Sequence, residues 1–282
     1  MKVNFQIPKL PKKYCHGTDA QRKDAARNLN MRIFEDLLNN FDDSGCCNWQ
    51  TIRNIIEKHF ENCTKIFIND TPIFGNIGAG TEVRIKKNKV KGIKLLIPLN
   101  KFYDMDIQML PVLGHEIRHA VDYLVNPKYI MSRLKCSFGR FFKNKIWRFY
   151  KDRIYTKEYP KTQEQKNIIL ESLEKDLKKI LDKYPRNKQI LYLNEIRYSI
   201  ETEINAYEDG SILLSKLNQS GKTHVSPSNF YTKKNFMFDE KLRLINKMLH
   251  KVISEERANT EIKIKRKDKI WKILSRLFVY ED

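Results

Sequence analysis

The chain has 282 residues, 41% of them hydrophobic, enough for one large domain or two small ones with a buried core. Lys and Arg number 54 against 34 Asp and Glu, and the resulting net charge of +20 favours an anionic contact such as nucleic acid, a lipid headgroup surface or an acidic protein, although an AT-rich coding sequence explains the same excess of Lys, Ile and Asn. Five cysteines without a CxxC pair exclude a disulfide framework, and no run of about 18 uncharged apolar residues is present to form a membrane-spanning helix.

The opening stretch, MKVNFQIPKLPKKYCHG, has no periodicity and no apolar core of signal-peptide length. With Cys15, Cys46, Cys47, Cys63 and Cys136 expected reduced, the expected location is the cytoplasm, or another cell reached without a cleaved signal. Helices are expected at about 18–41 and 48–62, with Thr18 and Asn48 as N-caps. CTKIFIND reads as a strand, Gly75, Gly78 and Gly80 as a loop, and two β-rich runs about Lys87-Asn88-Lys89 as a hairpin whose second strand lies at about 92–98. The glycine order matches neither a dinucleotide nor a P-loop fingerprint. A helix at about 105–125, capped by Asp104 or Asp106, precedes further helices at about 162–183, 188–218, 236–257 and 262–279. The expected class is therefore α+β, a small sheet with many helices.

The helix at 105–125 contains LGHEIRHAVDYL. His115 and His119 stand four apart, so both rings share one helix face and can direct a nitrogen at a single ion. Glu116, one step round, can take a proton from water at the open coordination position, whose pKa zinc lowers to about 7. Leu110, Val112, Leu113, Ile117, Val121 and Leu124 mark the helix for burial, where two histidines need a partner more than they would on a solvated face.

A catalytic zinc of this kind requires a third protein ligand. A third histidine six residues after His119 is absent, since that position is Val125. The helix NEIRYSIETEINAYEDGSILL offers Glu203 first, because Ala206 and Gly210 on its stripe permit close helix approach; Glu208 and then Glu201 are the alternatives.

His115-Glu116-x-x-His119 with the following Ala120-Val121, together with Glu203-x-x-Ala206, resembles the active-site segments of the gluzincins, which include the thermolysin-like proteases. That resemblance implies a zincin-like domain with a small mixed sheet, an active-site helix and a mostly helical C-terminal half. It implies His115, His119 and Glu203 as Zn2+ ligands, Glu116 as the base, and the strand at about 92–98 as the edge along which an extended substrate pairs. The implied division is a helical part at 1–62, the metallopeptidase domain at 63–260 with a basic and aromatic insertion at about 130–187, and a basic amphipathic helix at 261–282. Gluzincins often carry an acidic residue four after the ligand glutamate; here that residue is Tyr207, so Asp122 is the candidate to orient a ligand histidine. Tyr207, His224 and Tyr231 are candidate donors to a developing oxyanion.

RLKCSFGRFFKNKIWRFYKDRIY alternates basic and aromatic groups, and IKIKRKDKIWKILSRLF sets an apolar helical face against a basic one. Both suit an anionic surface, membrane or nucleic acid, and both also suit simple docking on the domain. The expectation is a zinc endopeptidase acting on a protein or peptide, of effector or toxin type. The rival is a nucleic-acid or anionic-membrane binder with a non-catalytic HExxH.

Overall fold

In the computed structural model, the described residues are 17–60, 66–69, 80–86, 89–96, 104–126, 148–224, 226 and 233–277. Helix α1 (Asp19–Leu38) starts at Thr18, whose hydroxyl accepts from the Gln21 amide while the Gln21 side chain accepts from the Thr18 amide, a reciprocal cap. Helix α2 (Trp49–His59) starts at Asn48, whose side-chain oxygen accepts from the Gln50 amide at 2.8 Å. Asp106 caps a single 3-10 turn at Ile107–Met109. Helix α3 (Leu110–Val125) continues from it, with Pro111 in the first turn, where a missing N–H costs nothing.

Three short strands, β2 (Ile66–Asn69), β3 (Gly80–Lys86) and β4 (Lys89–Leu96), form a sheet in the order β2-β4-β3. β2 runs parallel to β4 with Ile66 opposite Ile93, and β3 runs antiparallel with Val83 opposite Ile93. The strand expected as the edge, at about 92–98, is thus the central one, and among the described residues β3 is an edge. Two-residue strands β1 (Cys46–Cys47) and β5 (Met105–Asp106) pair antiparallel.

The expected class, α+β with a zincin-like domain, is corrected: the fold is mostly helical. After α4 (Gln163–Leu181) come α5 (Arg186–Gln219) and α6 (Phe238–Leu277), 34 and 40 residues long. The break expected between 257 and 262 does not occur, because α6 contains neither Gly nor Pro and nothing in Ala-Asn-Thr stops a helix. The C-terminal basic segment is thereby the end of α6; its side chains, and most of the basic and aromatic stretch at 133–155, lie outside the described residues.

Contacts divide the chain into two units, residues 1–159 with 198–239, and residues 160–197 with 240–282. The first has its core where Ile33, Phe34 and Leu37 of α1, Ile52 and Ile56 of α2, Leu95 of β4, Ile117 and Val121 of α3, and Leu213 and Leu217 of α5 bury together. Each such side chain contributes about 1.5–3 kcal/mol on burial. In the second, Leu173, Leu177 and Leu181 repeat every fourth residue along α4 and are buried, as are Leu193 and Ile196 of α5 and Ile245 of α6.

In the first unit α3 and α5 approach closely at Gly114: a Cβ there would overlap Leu213 Cδ1. Gly114→Ala is expected to lower stability by about 1–3 kcal/mol, the range for overfilling a packed core, measurable by denaturant unfolding. Among the described residues no helix is long and apolar enough to cross a membrane.

Candidate metal centre

α3 sets the rings of His115 and His119 edge to face, with their Nε2 atoms 3.2 Å apart. α5 brings Glu203 against them: Oε2 lies 3.5 Å from His119 Nε2 and 3.7 Å from His115 Nε2. A tetrahedral ion with bonds of 2.0–2.1 Å separates its ligand atoms by about 3.4 Å. The three distances are thus close to those of one face of such a tetrahedron. Only one hydrogen can lie between the two ring nitrogens of a neutral pair, and Glu203 Oε2, buried, has no hydrogen-bond partner among the described residues. A cation inside the triangle satisfies all three atoms, and two imidazoles with a carboxylate are a donor set suited to zinc. Burial raises the Glu203 pKa, but the two adjacent histidines outweigh it and hold the carboxyl at about 2.

Glu116 is buried beside this cluster, its Oε1 4.0 Å from His115 Nε2. From edge strand β3, the Thr81 hydroxyl donates to the Glu116 main-chain carbonyl at 2.9 Å and lies 3.0 Å from Oε2. Burial pushes the Glu116 carboxyl up to about 7, reinforced by the Glu203 charge and opposed by His115 and Thr81. A carboxylate so tuned can accept and return a proton near neutrality.

Two tyrosines complete the surroundings. The Tyr207 ring meets His115 edge on, at 4.6 Å between centroids, and its hydroxyl is 2.9 Å from that of Tyr155. Tyr155 follows a π-helical turn, Tyr150–Ile154, and its amide donates back to the Tyr150 carbonyl. Phe236 and Phe238 stack 5.0 Å apart beneath both tyrosines. Between them Met237 has φ 51°, the one left-handed non-glycine among the described residues. Burial, the Glu203 charge and Tyr207 push the Tyr155 hydroxyl well above the usual tyrosine range, so it stays protonated and able to donate. The residue as a whole keeps 36% of its surface exposed. Tyr155 was not a candidate on sequence grounds: it is 48 residues from Glu203, and no local pattern links the two.

Of the three glutamates weighed for the third position, Glu203 is the one the fold brings to the histidines. Glu208 is engaged by Lys233 at 3.0 Å, Arg27 at 3.1 Å and Lys23 at 3.4 Å. Glu201 is half-buried, and neither it nor Glu208 belongs to the cluster. Among the oxyanion candidates, Tyr207 touches His115, His224 is exposed past the end of α5, and Tyr231 lies outside the described residues. Asp122 does not orient a ligand ring by hydrogen bonding: Arg118 takes one of its oxygens and Asn205 the other, while His119 Nδ1 is buried without a partner among the described residues. No protein-family model, curated protein or solved structure matches the chain.

Proposed function

We propose that the chain is a zinc-dependent endopeptidase acting on a protein or peptide through His115, His119, Glu203 and Glu116. The observation that carries this reading is the near-tetrahedral spacing of three ligand atoms on buried His119 and half-buried His115 and Glu203, with a carboxyl of near-neutral pKa beside them. Zinc, when bound, supplies Lewis-acid chemistry, acidifying a water and polarising a carbonyl.

The remaining work falls to the chain. Glu116 takes a proton from the attacking water as its oxygen bonds to the peptide carbon, then passes that proton to the amine that leaves when the C–N bond breaks. Tyr155, backed by Tyr207, donates to the oxyanion that develops. Strand β3, an edge among the described strands and anchored beside Glu116 through Thr81, offers main-chain groups to an extended peptide.

Tyr155→Phe is expected to lower kcat about 100-fold with KM little changed, in steady-state assays, as for loss of one oxyanion donor. An unchanged kcat would remove Tyr155 from the mechanism. The function itself is tested by incubating the purified chain with a peptide library. Cleavage abolished by a chelator and restored by zinc supports it. Cleavage indifferent to chelation contradicts it, as does a chain that cleaves nothing and instead shows steeply salt-sensitive binding to nucleic acid or anionic vesicles.

A further inference from the structure

A metal site of this kind needs its ligands held within about 0.5 Å, a tolerance that apolar packing alone does not supply because it is non-directional. Two ligands stand on α3 and the third on α5. The apolar part of their interface includes the close approach of Gly114 to Leu213. The usual means of fixing a ligand ring, a partner on its second nitrogen, is missing at His119 among the described residues.

Next to this interface lies a buried polar network. Arg118, fully buried between the two histidines in sequence, donates from Nε to Asp122 Oδ1 at 3.0 Å and from Nη1 to Asp209 Oδ2 at 2.6 Å. Asn205 donates to Asp122 Oδ2 at 3.0 Å. Arg27 and Asn30 of α1 donate to the two oxygens of Asp209, at 2.9 and 3.2 Å. Every oxygen of both aspartates is taken. Asn205 is two residues from Glu203 and Asp122 three from His119, so the network grips both helices within a turn of the ligands. Buried ion pairs add little net stability over apolar replacements, and their better-attested use is to define register.

We propose that Arg118, Asp122, Asn205 and Asp209 are positioning residues: their hydrogen bonds across α3 and α5 lock the register that places Glu203 on the His115–His119 pair. This rests on the zinc site proposed above. Zinc affinity, by competition with a chromophoric chelator, and the visible spectrum of the cobalt-substituted protein are compared in the wild type, Asn205→Ala, and the apolar triple variant Arg118→Met/Asp122→Leu/Asp209→Leu. Melting of each metal-free protein controls for folding. The expected result is about a tenfold or greater loss of zinc affinity in Asn205→Ala and a changed cobalt spectrum, with metal-free melting little altered. The triple variant is expected to fold and to lose more affinity. Unchanged affinity and spectrum in folded variants, or an affinity loss fully accounted for by lost folding, overturns the inference and leaves the function standing. A wild-type chain that takes up no zinc overturns both.

Discussion

Glu116→Gln is expected to abolish peptide hydrolysis, by 100- to 10,000-fold for the loss of a general base, while zinc content stays at the wild-type level. The amide matches the carboxyl in shape and keeps a contact for Thr81, so the loss is confined to proton transfer. The base works only when ionised, so activity rises with pH up to about 7 and then levels, with zinc moving the limb lower because a cation favours the carboxylate. In the metal-free chain the same shift has a stability consequence. Glu116 holds its proton more tightly folded, at about 7, than unfolded, near 4.5. Its stabilising contribution is therefore complete below pH 4.5 and lost as pH rises through 7, an effect of about 3 kcal/mol. Glu203 acts in the opposite sense between pH 4.5 and about 2, a window that does not overlap. Denaturation of metal-free wild type and Glu116→Gln at pH 5 and pH 8 checks this: only the wild type should lose that increment. Equal activity in the two proteins would remove Glu116 from the mechanism.

His119→Ala and Glu203→Ala are each expected to eliminate zinc binding at micromolar metal. Zinc that binds only the folded chain stabilises it by about 2.7 kcal/mol at 100 times Kd, so the wild type should melt several degrees higher with zinc than without. Both variants should lose that rise. A rise surviving in either would transfer ligation to other groups, and retention in both would place the zinc elsewhere.

What was legible in the sequence was local. Thr18, Asn48 and Asp106 cap their turns because a cap depends on residues two or three apart. His115 and His119 converge because an α-helix places i and i+4 together, and Glu203 joins them, although Gly210 faces open space and the close approach of the two helices is at Gly114 instead. Non-local features were not legible. The order β2-β4-β3 depends on which strands find partners after collapse, so the strand taken for an edge is central. The α+β expectation gave too much weight to the β-rich runs at 63–98 and placed a loop inside α6, where nothing interrupts the helix. Tyr155 reaches Tyr207 only through tertiary packing of a π-helical turn, a feature with no sequence signature. Asp122 suited a ligand-orienting role by proximity alone, but Arg118 on its own helix and Asn205 across from it claim both its oxygens.

The most direct test of the metal centre is diffraction from zinc-soaked crystals at energies on either side of the zinc absorption edge. The predicted result is one anomalous peak 2.0–2.2 Å from His115 Nε2, His119 Nε2 and the Glu203 carboxylate, with Glu116 adjacent but not ligating. A peak elsewhere, or none at this triangle with zinc present in excess, would contradict the account.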